Sequence, residues 1–192
     1  MILHNRLTVS KRQSFCQAGV FLFWQCAREI FMDFQPGDWV VHCTHGVGQV
    51  KSIEDRSFGE QNIPYYMVQI SDLTIWVPAD ENLGKRLRSP TSRSEFRTLL
   101  DTLASPPETL PTDRRQRNQH LLELLKDGKA ETLCRVIRDL SALRKHRTWS
   151  EYDRDLMRRV QKTLIGEWSF IFSITPQDAE IELQKLLSKH AD

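Results

Sequence analysis

The hydrophobic pattern of this chain changes its period once, and that change limits the architectures open to it. From residue 34 to 80, β-branched and aromatic residues come in short runs broken by turn residues; after Pro90, apolar residues recur every three or four positions. A period of two belongs to strands and a period of 3.6 to helices with one buried stripe. A chain that carries one pattern and then the other is expected to be α+β: a small SH3/Tudor-like β-barrel followed by an all-α helical bundle.

The first half predicts four strands. Pro36-Gly37-Asp38 is a turn signal, and Trp39-Val40-Val41-His42-Cys43 after it suits a strand. Thr44 to Gly46 should turn the chain into a second strand running toward Ile53. Residues 55–63 are polar and contain Gly59, so they read as a hairpin loop. Tyr65 to Ile70 forms the third strand, Ser71-Asp72 a tight connection, and Leu73 to Pro78 the fourth. Tyr65 and Tyr66 alternate faces, so one of them belongs to the core. A barrel of this size has a thin core and is expected to lean on the helices.

About five helices follow. Phe96, Leu99, Leu100 and Leu103 form one stripe, ended by Pro106-Pro107. Leu121, Leu122, Leu124 and Leu125 form a second, closed by Asp127-Gly128. Ala130, Leu133, Cys134, Ile137, Leu140 and Leu143 form a third. Ser150 is placed to cap a fourth with Asp153 at N3, while Trp149 at N′ is placed to staple onto the next turn; Leu156, Val160, Leu164 and Trp168 then line one face. Thr175-Pro176-Gln177-Asp178 starts the last helix, marked by Ile181, Leu183, Leu186 and Leu187.

Charge is divided along the chain. Residues 32–84 carry 2 basic and 8 acidic side chains, net −6, whereas residues 85–162 carry 19 basic and 11 acidic, net +8. An acidic module followed by a basic one implies two domains with different partners, 32–84 and 85–192. Ahead of them, Ala18 to Trp24 is apolar and follows Lys11 and Arg12, as in a signal peptide. Gln25 interrupts it, and Cys26-Ala27-Arg28 is a poor cleavage site. Met32 opens a more natural beginning, so residues 1–31 are expected to be an extension outside the fold. No apolar run reaches the roughly 18–20 residues needed to span a bilayer. Cys16, Cys26, Cys43 and Cys134 lack zinc-ligand or redox spacing and suit a reducing cytoplasm. His42 and His45, with no thiol or carboxylate at ligand spacing, read as turn packing and not as a metal site. Neither a nucleophile elbow nor a phosphate-cradling glycine loop is present, so no enzyme and no cofactor are expected.

Phe34-x-Pro-Gly-Asp-x-Val-Val-His followed by His45-Gly46-Val47-Gly48 resembles the start of the CarD/CdnL family. The same barrel occurs as the polymerase-interacting domain of the transcription-repair coupling factor. Leu73-Thr74-Ile75-x-Val77-Pro78 is similar to the family's fourth strand. Leu121-x-x-Leu124 with Asp127-Gly128, then Val136-Ile137-Arg138-Asp139-Leu140, then Leu164-x-Gly166-Glu167, are similar to its helical domain. The order of these pieces, from residue 33 to about 188, is more specific than any one of them.

The resemblance implies a cytoplasmic, monomeric transcription regulator, associated with the nucleoid through RNA polymerase. Its barrel would bind the polymerase β subunit, and its helical domain would lie on promoter DNA at the upstream edge of the open bubble, modulating open-complex stability. Arg56, Phe58 and Trp76 stand where the family presents polymerase-contacting side chains; strand alternation puts Trp76 with Thr74, opposite Ile75 and Val77, on an exposed face. Arg114, Arg115, Arg117 and Arg154 are the implied DNA contacts. Arg114 occupies the position at which many members carry a Trp that wedges into the minor groove. An Arg enters a narrow, electronegative groove but does not unstack a base step as an apolar wedge does. Two other readings stay open: a polymerase-bound module whose helices contact protein, and a general nucleic-acid binder. The acidic barrel speaks against the second of these.

Overall fold

The computed structural model describes residues 34–58, 61–146 and 148–188, with side chains at 57–58, 61–62 and 145–146 outside that description. The expectations for residues 1–31 and for the Phe58 side chain therefore lie outside the described residues. The strands are β1 (Trp39–His42), β2 (Gly46–Phe58), β3 (Gln61–Ile70), β4 (Leu73–Pro78) and β5 (Leu87–Arg88). A one-turn helix α1 (Leu83–Arg86) precedes β5. The larger helices are α2 (Arg93–Leu103), α3 (Arg114–Leu124), α4 (Ala130–His146), α5 (Glu151–Phe172) and α6 (Pro176–Ser188), with a 3-10 turn at Leu125–Asp127. The fold is α+β as expected.

All strand pairs are antiparallel, in the order β4-β3-β2-β1-β5. Among the described residues the sheet stays open, with β4 and β5 as its edges, so the expected barrel does not close there. Its inner face buries Val40, Val50, Tyr66, Val68, Ile70 and Val77. Tyr66 is the core tyrosine and Tyr65 is half-buried. Segment 55–63, expected as a loop, is strand for most of its length. The β2–β3 ladder continues through Asp55↔Pro64 and Arg56↔Ile63 to Phe58↔Gln61. Polar residues deceive here because a two-stranded ribbon can meet solvent and remain paired through its backbone.

The His-Gly-Val-Gly motif is explained by geometry. Gly46 leaves the first turn at φ +87°, and a Cβ on Gly48 would come within 2.5 Å of Ile70 and 2.8 Å of the Gln69 carbonyl oxygen. Both positions exclude a side chain without a backbone shift. In the same turn, Nδ1 of His42 accepts hydrogen bonds from the backbone N–H groups of Thr44 at 3.1 Å and His45 at 3.3 Å. Burial, then the charges of His45 and Arg86, push the His42 pKa down to about 4. A depressed base stabilises the fold fully above its ordinary pKa of 6.5, and that contribution is lost as pH falls toward 4. Thermal melts between these pH values should therefore slope downward. His42→Asn, whose side-chain oxygen still accepts from the turn, should flatten the slope; an unchanged slope would assign the titration to another group.

The helices start where their caps stand. Ser150 and Asp153 form a reciprocal capping box on α5, Ser92 and Glu95 form another on α2, and the Thr175 hydroxyl accepts from the Asp178 N–H at the start of α6. Their apolar faces meet in one core built on Phe96, Leu121, Ile137, Leu140, Leu164 and Leu183. Trp149 packs against that core from its rim and donates to the Leu140 carbonyl at 3.1 Å. The second stripe is narrower than its sequence suggests. Leu121 is buried, Leu124 and Leu125 are half-buried, and Leu122 is 50% exposed. No helix among the described residues is long and apolar enough to cross a membrane. The described residues from 35 to 188 form one compact unit, with β2 packed on α5 and the Trp39 ring tilted against that of Phe170, their centres 4.7 Å apart.

Candidate functional site

Two surfaces and one buried junction carry the residues singled out by the sequence. The first surface is the outer face of β2, β3 and β4. Register aligns Ser52, Met67 and Trp76 in one row across the three strands. Arg56 lies four residues beyond Ser52 on the same face of β2, and its guanidinium carbon sits 3.6 Å from the centre of the Trp76 ring. A cation–π contact at this separation contributes about 0.5–1 kcal/mol where solvent is near. Both side chains are half-buried and outside the core, while Val77 next to Trp76 is buried. Strand β4 is an edge, so its outer backbone groups have no strand partner among the described residues.

The second surface is the end of the bundle at which α3 and α5 begin. Asp113 caps α3 by accepting from the Gln116 N–H, and Arg114 and Arg115 follow, both exposed. Cations in a first helical turn oppose the macrodipole, so these two do not serve the helix they stand on. Arg154 is exposed in the first turns of α5, and Arg158 and Lys162 continue its face at i+4 and i+8. The sequence reading missed Arg158 and Lys162, although their spacing from Arg154 was visible.

Arg117 requires a correction. It was expected to contact DNA, but it is buried at 5% exposure. Its Nε and Nη2 donate to the two Asp153 carboxylate oxygens at 3.4 and 3.3 Å, and its Nη1 to the carbonyls of Pro111 and Thr112. Burial raises the Asp153 pKa, but hydrogen bonds from Ser150 and Arg117 outweigh it and the net shift is downward. Arg117 acts as a bracket. It ties the first turn of α3 to the first turn of α5, and so brings the Arg114–Arg115 pair to the same end of the bundle as Arg154.

The junction lies between sheet and bundle. Arg88, the last residue of β5, reaches Glu167 on α5 with both terminal nitrogens, at 2.7 and 2.6 Å. Its Nε donates to the Gly128 carbonyl at 2.8 Å. Glu167 is wholly buried and also accepts from the backbone N–H and the hydroxyl of Thr91. Burial raises its pKa, but Arg88 and Thr91 together outweigh that and hold the carboxyl below its ordinary range. Burial pushes the Cys134 thiol up to about 12, with the charges of Glu167 and Glu131 assisting.

The motif residues of the helical half prove architectural. Asp127 accepts from the Lys129 N–H and the Thr132 hydroxyl, closing the turn into α4. Arg138 and Asp139, joined at 2.7 Å, hold the segment after α2 through the Ser105 hydroxyl and the Glu108 N–H.

Comparison with known proteins agrees with this layout. Residues 34–89 match the family described as CarD-like/TRCF RID domain, and residues 98–184 match the CarD C-terminal domain. A relative from Bacillus subtilis (strain 168), named "Putative transcription factor YdeB", is 25% identical over 144 residues, covering 74% of this chain and 94% of its own length. With both family domains matched in tandem and in the order in which sheet and bundle occur, the chain belongs to the CarD/CdnL family.

Proposed function

We propose that this chain is a transcription regulator that binds the β subunit of RNA polymerase through the outer face of β2–β4 and lays the start of α3 and α5 on promoter DNA at the upstream edge of the open bubble. The reading treats 32–84, completed by β5, as the polymerase module and the remainder to 192 as the DNA module. It acts in the cytoplasm as a monomer without a cofactor, reaching the nucleoid through polymerase. The observation that carries it is the Arg117–Asp153 bracket, which gathers exposed arginines from two helices at one end of the bundle. Family membership supports both partners. Arg56, Phe58 and Trp76 are the polymerase contacts; Arg114, Arg115 and Arg154 the DNA contacts, extended along α5 by Arg158 and Lys162. Phosphate contacts of this kind give affinity with little base readout, and tethering to polymerase raises the effective concentration of DNA.

Full-length protein tests both halves. Arg56→Glu with Trp76→Ala should weaken capture of the β subunit while leaving the melting temperature within a few degrees, because neither side chain is in the core. Undiminished capture would misplace the interface. On duplex DNA, replacing Arg114, Arg115 and Arg154 by Ala should flatten the log–log salt dependence of binding by about 0.9 for each phosphate no longer neutralised. The drop in affinity should be similar for unrelated sequences. Arg114 in place of the family's wedge favours one alternative, a helical module that contacts protein; absence of salt-dependent DNA binding even at low ionic strength would select it.

A further inference from the structure

We propose that the Arg88–Glu167 pair is a positioning lock that fixes the angle between the sheet and α5, so that the face carrying Trp76 and the end of the bundle carrying Arg114 and Arg154 keep one relation. The use of those two faces rests on the function proposed above; the lock itself rests on geometry alone. Only residues 89–92 connect β5 to α2, and β5 is two residues long, so the covalent connection leaves the angle free. Apart from the contact of β2 with α5 and the Trp39–Phe170 pair, apolar packing between sheet and helices is also interrupted. A cleft of about 670 Å³ opens between the sheet turns at Val47 and Ile70 and the α5 residues Lys162 and Ile165. Another of about 220 Å³ separates Cys43 and Thr44 from Leu125 and Val160.

Across this loosely filled boundary the pair is specific. It is bidentate, which defines an orientation as well as a distance. It gathers four segments at one carboxylate and one guanidinium: β5, the connection at Thr91, the turn at Gly128, and α5. A well-packed apolar pair of the same volume would often stabilise a fold equally or better, and the best-attested use of a buried ion pair is to fix register. Arg88 and Glu167 are therefore positioning residues, not contacts to either partner.

The test measures the angle separately from stability. Spin labels are introduced as non-natural amino acids at the exposed positions Asp72, in the β3–β4 turn, and Gln119, on α3. Pulsed dipolar spectroscopy on the full chain should give one narrow distance distribution in the parent. In Arg88→Lys, which keeps the charge but loses the fork, and in Arg88→Met with Glu167→Met, the distribution should broaden while melting stays cooperative. Leu183→Ala, a core truncation remote from the junction, should lower stability without broadening it. An unchanged width in the double variant, equal broadening in Leu183→Ala, or loss of cooperative melting in Arg88→Lys would each overturn the lock. In transcription assays, the effect of Arg88→Lys on open-complex lifetime should fall about tenfold, with binding to isolated β subunit and to duplex DNA each within about twofold of the parent. A parent with no effect on open-complex lifetime would refute the proposed function, and the distance distributions would still decide the lock.

Discussion

Truncating Glu167 to Ala should cost about 3–5 kcal/mol, the usual result of removing one partner from a buried ion pair. The carboxylate accepts from Arg88 at two points and from Thr91 at two more, and it is shielded from water. Its removal strands a guanidinium that is only 20% exposed and leaves the Thr91 N–H without its acceptor. For a chain of this size the melting temperature should fall on the order of 10 °C. The acid limb of stability should change too. A carboxyl held below its ordinary pKa of 4.5 stabilises the fold above that value and loses the contribution as pH falls through the folded-state pKa. Glu167→Ala should thus lose most stability near neutral pH and approach the parent in acid. A parallel displacement of the two pH curves would show that packing, not charge, dominates at this residue.

Arg117→Ala should be the second large loss, again about 3–5 kcal/mol, because Asp153 would remain buried at 1% exposure without its cation. The N···O distances of 3.3–3.4 Å are long for a charged pair and argue for the lower part of that range. The contrast with its sequence neighbours is the informative part. Arg114→Ala and Arg115→Ala should each shift stability by no more than about 0.5 kcal/mol, as exposed residues do. Those two should flatten the salt dependence of DNA binding, and Arg117→Lys, which keeps the charge but loses the fork to Asp153, should flatten it as well by loosening the end of the bundle. Chemical denaturation and a salt titration of DNA affinity, run on the same variants, separate the roles. An unchanged salt slope in Arg117→Lys beside a reduced one in folded Arg117→Ala would return that residue to the DNA surface.

The order of elements was legible because period and caps are local. Ser150 with Asp153 and Thr175 with Asp178 marked helix starts within a few residues, and the two-residue connection at Ser71-Asp72 follows from its flanking strands. What failed did so for a different reason at each place. Polar residues at 55–63 concealed a strand, since pairing in a ribbon depends on the partner and not on side-chain hydrophobicity. Arg117 looked like part of an exposed basic run, yet 117, 121 and 124 share one face at i, i+4 and i+7, so the buried side was readable in hindsight. Leu122 looked apolar enough for the core but lies off that face. The Arg56–Trp76 stack needed the register of three strands, which no local pattern supplies. The Glu167 partner was out of reach altogether: Gly166-Glu167 was visible as a motif, but nothing in the sequence connects it with Arg88.

That separation has a consequence for synthesis. Arg88 and Glu167 are 79 residues apart, so at roughly 5–20 residues per second a ribosome takes about 4–16 s to make the second after the first. Through that interval every strand of the sheet has been translated while the carboxylate that receives the last of them does not yet exist. The nascent sheet must wait, with β5 held only through its pairing with β1 and its guanidinium in water, until α5 is made. The junction is a late event of folding, and slow or paused translation between residues 88 and 167 prolongs the stage at which the sheet is held by its own ladders alone.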